Sequence, residues 1–289
     1  ESTFQMENCF ITDHTSNPLG FRTSDRIQLR NIVNSNCAST LLYVIENSIL
    51  CTMNNIDFDG NTIDECITIN NINSVELQSV RITNNTSNTL PSESNLSLIH
   101  CTYSNCILTN ISIEENANKN PLCFEHCHFE YQVVSSGEAS ILNNSGPNVR
   151  GIIIEDSKGI FTAPSSGSTL LQNTTGQLTT IVDIQRSSIV FENVNTVYNT
   201  ATDAENGFKI LDSNVRIENL TFSESVKGTA TIANIFFDCQ SSNLSLTNVD
   251  IFSDDTSSVN AGLFATGLRA VNSSIELFSK KVFVFCKNQ

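Results

Sequence analysis

The stretch Ser213-Asn214-Val215-Arg216-Ile217-Glu218-Asn219-Leu220-Thr221-Phe222 decides the fold. Val215 and Ile217 alternate with polar neighbours, as in a strand with one buried face. Asn219 takes the next inward beat, Leu220 follows at once, and alternation resumes at Phe222. A period-two pattern that slips phase at a fixed Asn describes two short strands joined by a sharp corner. Asn suits the corner because it tolerates the left-handed backbone region and hydrogen-bonds locally.

The template recurs as Ile27/Leu29/Asn31/Ile32, Cys51/Met53/Asn55/Ile56/Phe58, Cys106/Leu108/Asn110/Ile111/Ile113 and Leu244/Leu246/Asn248/Val249/Ile251. Ile189/Phe191/Asn193/Val194 follows it too, and the degraded Ile275/Leu277 ends the series. Two variants place Ser79 or Gly151 at the corner: Val75/Leu77/Ser79/Val80/Ile82 and Val149/Gly151/Ile152/Ile154. Most steps are 24 to 31 residues; two of about 41 hide a missing rung or a long loop, with Leu122/Phe124/His126 the candidate rung. A repeat this short cannot bury its own apolar face, so neighbours must stack into a continuous core. The fold class is all-β, a solenoid of roughly nine to eleven coils. Residues 1–26 read as an irregular first coil or cap. Residues 27–289 read as one domain that continues beyond either end.

Composition bounds the function. With 30 acidic and 15 basic residues the net charge is −15, which argues against nucleic acid and against docking on anionic lipid. A soluble, self-repelling surface is the plain reading. No apolar run approaches the ~20 residues of a membrane span. Ten Cys and nine N-x-S/T sequons point to a eukaryotic secretory route and an oxidising, extracellular or cell-surface location. The start at Glu1 is that of a processed chain or a fragment.

These rungs, above all Asn214 to Phe222 and Asn243 to Ile251, resemble the right-handed parallel β-helix of the pectin-lyase-like superfamily over about residues 27–278. The resemblance implies inward Asn side chains stacked as an amide ladder. By position these are Asn31, Asn55, Asn110, Asn193, Asn219 and Asn248, each satisfying its neighbour one coil away. It says little about function, because such folds serve lyases, hydrolases, adhesins and structural repeats.

Two patterns carry possible chemistry. Asp57-Phe58-Asp59-Gly60-Asn61-Thr62-Ile63-Asp64-Glu65-Cys66 resembles the carboxylate-bearing coil of polygalacturonases, where paired acids flank a sugar bond. The companion Gly-His-Gly and Arg-x-Lys are missing, and a chain of this charge would repel a polyuronate. Asp57, Asp59, Asp64 and Glu65 therefore read as outward strand and turn residues, and no catalytic residue is expected. His100, Cys101 and Cys106 precede Cys123-Phe124-Glu125-His126-Cys127-His128, a thiol and imidazole set matching no compact zinc finger. Neither a metal nor a cofactor is expected.

Disulfides are the preferred use of the thiols. Strands one coil apart stack at about 4.8 Å, within reach of a bridge. Cys9–Cys37, Cys101–Cys123 and Cys106–Cys127 are separated by about one coil; Cys51–Cys66 closes a loop, and Cys239 and Cys286 remain. Among sequons, Asn110 and Asn219 should face inward and stay bare. Asn85, Asn95, Asn143, Asn173, Asn243 and Asn272 are the expected glycan acceptors. The expected function is a non-catalytic, glycosylated extracellular β-helix: a rigid spacer, or a subunit of a coat, fibre or appendage whose partners are other copies stacked on its ends. The alternatives are a carbohydrate- or cell-binding adhesin, and then a polysaccharide hydrolase or lyase.

Overall fold

The computed structural model describes residues 2–15, 19–87, 97–133, 139–144, 146, 149–163, 168–173, 179–198, 206–224, 235–253, 266–278 and 283–284. Among these the protein is all-β, with no helix, and every strand pairing is parallel. Two sheets face each other across one core. The larger, of 17 strands, is bent into two arms; the opposing sheet stacks ten strands, one per coil.

In the first half a single ten-residue strand runs through both arms: Thr3–Thr12, Arg26–Ser35, Leu50–Asp59, Ser74–Thr83 and Asn105–Glu114. Each is bent near its middle by a left-handed residue, Asn8, Asn31, Asn55, Ser79 or Asn110, with φ of 53–57°. Downstream each arm has its own strand, such as His128–Gln132 and Ala139–Leu142, and Asn105–Glu114 pairs with both. The opposing sheet runs from Leu19–Arg22 through Ser97–Thr102, Asn120–Glu125, Arg150–Glu155 and Thr180–Gln185 to Thr266–Val271.

Within residues 1–26, which the sequence marks as an irregular first coil or cap, the strand Thr3–Thr12 is regular. Thr3–Thr12 pairs in parallel with Arg26–Ser35 from Thr3↔Arg26 to Thr12↔Ser35, so the first coil is a regular rung. Its weak pattern in sequence reflects side chains that remain half-exposed, Met6, Cys9 and Ile11 among them. The register also supplies the rungs missed in the two long steps. The inward column runs Ile27, Cys51, Val75, Cys106, Phe129, Gly159, Ile189, Val215, Leu244, Ile275. Both Leu122/Phe124 and the Val149/Gly151 segment belong to the opposing sheet instead. Gly159 was invisible as a rung because it contributes no side chain. A Cβ there would lie 2.3 Å from the Phe129 ring, which fills the vacated space and stacks on Phe124 at 3.9 Å.

The corners correct the expected orientation of the Asn ladder. The burial sequence around the first full corner is Leu29 in, Arg30 out, Asn31 out, Ile32 in. The left-handed residue sits at the apex of the bend, and its side chain leaves on the convex side while Leu29 and Ile32 fill the concave side. Asn55, Asn110, Asn219 and Asn248 are exposed, and Asn31 and Asn193 half-buried. They do form amide ladders, but on the outside: Asn31 Nδ2 donates to Asn8, Asn55 to Asn31, Asn219 to Asn193 and Asn248 to Asn219, at 2.8–3.0 Å.

The inward Asn ladder occupies a different column, one residue past a later left-handed turn at the end of the second arm. Asn61, Asn85, Asn116 and Asn144 follow Gly60, Asn84, Glu115 and Asn143, and all four are at most 2% exposed. Each Oδ1 accepts the backbone N–H of the preceding coil: Cys37 N to Asn61, Asn61 N to Asn85, Asn85 N to Asn116, Asn116 N to Asn144. The third corner carries a serine ladder built the same way. The backbone N–H groups of Cys127, Ser157, Ser187, Ser213 and Ser242 donate to the hydroxyls of Ser157, Ser187, Ser213, Ser242 and Ser273 at 3.0–3.1 Å. Turn amides that the strands cannot pair are thereby satisfied inside the core.

Candidate functional site

The outward column of the opposing sheet concentrates the buried ionisable groups. Strand register sets Thr68, His100, Cys123, Ile153, Asp183, Lys209, Asp238 and Arg269 side by side down successive coils. Asp183, 2% exposed, receives Arg150 at 3.1 Å and Lys209 at 3.8 Å. Arg269 Nε donates to the buried Asp238 at 2.8 Å. Alternating sign down the column neutralises these carboxylates, which burial would otherwise make costly.

At the upstream end the column changes character. His100, Cys123 and Glu125 bring imidazole, thiol and carboxylate donor atoms within 4.8 Å of one another. His100 and Cys123 are direct neighbours across two parallel strands, and Glu125 lies two residues beyond Cys123 on the same face. Glu65 closes the far side: one of its oxygens lies 3.2 Å from His100 Nδ1, and the other accepts from Thr68 Oγ1 at 2.7 Å. His100 Nε2 lies 3.5 Å from Glu125 and makes no hydrogen bond. Burial works against a charge on His100, but Cys123, Glu125 and Glu65 outweigh it and push the imidazole up to about 12. Burial raises the Cys123 thiol to about 11, with His100 pulling the other way. Downstream of Glu125, where the chain turns, an open groove of about 510 Å³ is lined by His126, Asp156, Arg186, Asp212 and ladder serines. The exposed Tyr103 ring stacks on His126 beside it at 4.5 Å.

The acidic coil does not converge. Asp57 faces Arg81 across paired strands, and Asp59 accepts from Thr83 and Asn84 at 3.0 and 3.1 Å. Beyond the Gly60 turn, Asp64 meets Lys119 at 3.5 Å and Ser87, while Glu65 belongs to the His100 cluster. Asp59 is exposed, as expected, whereas Asp57 is half-buried with Oδ1 enclosed and without a hydrogen bond. Glu65, expected on the surface, is 3% exposed.

The thiols correct the disulfide scheme. All nine described cysteines are free, and no pair is at bonding distance; Cys286 lies outside the described residues. Cys123 is level with His100, and Cys101 with Phe124. A one-residue register difference sends Cys101 into the core and Cys123 to the outer face, so Cys101–Cys123 cannot close. Cys51 and Cys66 lie on different sheets, aligned with Val75 and next to Ile67 respectively. Cys37, aligned with no strand, takes a corner position on the inward Asn ladder, whereas Cys9 is level with Ile32. Cys106 and Cys127 approach each other as thiols within the core. Cys239 is a core residue, level with Ile210 and Ala270.

Sequon geometry also departs from expectation. Asn85 is a rung of the inward ladder, its Nδ2 donating to Phe58 O, Thr83 O and Asn116 Oδ1, whereas the overlapping sequon residue Asn84 is exposed. Asn243 and Asn272 are exposed and Asn143 half-buried. Asn95 and the side chain of Asn173 lie outside the described residues.

No protein-family model, no curated protein and no solved structure matches this chain.

Proposed function

We propose that this chain is a non-catalytic, glycosylated extracellular β-helix that serves as a rigid spacer or as a subunit of a surface coat, fibre or appendage. Within that reading it is a right-handed member of the pectin-lyase-like superfamily, as the resemblance of its rungs implies. One observation carries the proposal. The polar side chains at the corners are committed to ladders linking one coil to the next, and Asp59, Asp64 and Glu65 of the hydrolase-like coil are each held by a different partner. Such an arrangement makes a stiff rod and spends little on a substrate site. Other copies or domains of the same assembly join through the ends of the β-helix.

The adhesin reading has one observation in its favour: the polar groove beside the exposed Tyr103–His126 stack, a surface that suits a sugar ring. Glycopeptide mass spectrometry of unreduced material from the native source tests the extracellular reading. Sugar on Asn84, Asn243 and Asn272, with none on Asn85, is the expected result. A chain free of N-glycans would overturn it. Binding of the same material to an immobilised glycan panel, abolished by Tyr103→Ala, would move the conclusion to the adhesin.

A further inference from the structure

We propose that His100 Nε2, Cys123 Sγ and the Glu125 carboxylate bind a divalent transition metal, zinc above others, with Glu65 as the residue that orients the histidine. A thiolate, an imidazole and a carboxylate are the ligand types zinc accepts, and three protein ligands leave one position for water or an external group. Oxygen-seeking calcium and magnesium would not recruit a thiol.

Three features of the geometry converge. The donor atoms already lie within 4.8 Å of one another, against about 3.5 Å between ligands around tetrahedral zinc, so side-chain rotation closes the shell without moving a strand. The donors stand on adjacent, fully paired strands, the kind of rigid support a metal site needs. The histidine is also prepared for the task. Its Nδ1 faces Glu65, which Thr68 holds in turn, and its buried Nε2 has no hydrogen bond of its own. A carboxylate on the remote nitrogen is the usual outer-shell partner of a zinc-bound histidine, fixing its tautomer and ring plane.

A plain ion-pair cluster explains less. It accounts for His100 between two carboxylates and for the Cys123 thiol, which reaches Glu125 at 4.0 Å, but not for a buried His100 Nε2 left without a hydrogen bond beside that thiol and Glu125. Nor does it account for Glu125 being the most exposed member, which leaves an entry path on its side.

The test uses the folded chain, stripped with chelator and titrated with zinc alone and with cobalt alone. One equivalent of each metal is expected to bind, with a thiolate-to-cobalt charge-transfer band. Cys123→Ser should abolish that band, and His100→Gln and Glu125→Gln should each weaken zinc binding at least tenfold. Glu65→Gln should weaken it less while leaving the band in place, and Cys9→Ser should change nothing. Circular dichroism establishes that each variant is folded. Should Cys123→Ser fail to fold, zinc X-ray absorption on the wild-type chain decides the matter, with one sulfur in the shell expected. Absence of sulfur from the shell, or a cobalt spectrum without the charge-transfer band, would overturn the proposal.

Discussion

Replacing Asn116 with Ala probes the ladder that closes the second arm. The Asn116 side chain accepts from both the backbone N–H and Nδ2 of Asn85 at 2.9 Å, and donates to Ile82 O at 3.0 Å and to Asn144 Oδ1 at 2.8 Å. In Asn116→Ala the buried backbone N–H of Asn85 loses its acceptor, a penalty of roughly 1–3 kcal/mol, and the donations to Ile82 and Asn144 vanish at about 1 kcal/mol apiece. Shared partners make these terms less than additive, so the expected loss is about 2–4 kcal/mol. The matched control is Asn55→Gly in the outer ladder. It deletes one exposed amide bond of 3.0 Å while keeping a residue that accepts φ of 57°. That change should cost no more than about 1 kcal/mol. Urea unfolding followed by circular dichroism gives the comparison, and hydrogen exchange at Asn85 shows whether the loss is local, since stacked coils need not unfold in one step. Equal losses for the two variants, or a larger loss at Asn55, would refute the assignment of which Asn column faces the core.

Gly159→Ala should destabilise by about 1–3 kcal/mol through overpacking against Phe129, and Phe129→Leu in the same chain should recover part of it; additive losses would contradict the contact. Brief alkylation of the native chain should modify Cys9 ahead of the other described cysteines, which are buried, while denaturant should release all nine; a bridge between Cys101 and Cys123 in a peptide map would show the register to be wrong. Asp57→Asn should raise the unfolding midpoint at pH 7. Burial lifts the folded-state Asp57 pKa above its unfolded value near ~3.9, so the carboxylate disfavours the fold above the folded pKa and the cost disappears once both states are protonated. The gain should therefore fade below about pH 4, and a gain that persists there would exclude titration of Asp57 as its cause.

The fold was legible in the sequence because its signal is local and repeated. Alternation in Val215/Ile217 or Leu244/Leu246 needs no partner to be read, and the phase slip at Asn219 or Asn248 marks the left-handed corner the structure has there. Several rungs were not legible, for the opposite reason. Gly159 belongs to the inward column through its neighbour's ring, and Phe129 lies in a segment whose Cys and His residues suggested other roles.

The candidate site shows the limit more sharply. From spacing alone, Cys101 and Cys123 stand 22 residues apart and His100 and Cys123 stand 23, and either separation passes for one coil. Because side chains alternate faces at every residue, that single step decides whether Cys123 meets a core thiol or an outward imidazole. The same holds at the corners, where the sequence marks which Asn bends the chain but not which one the bend turns inward. Period and corner chemistry are thus written residue by residue. Register between coils, and with it the inward Asn ladder and the meeting of Glu65, His100, Cys123 and Glu125, is decided only when the strands pair.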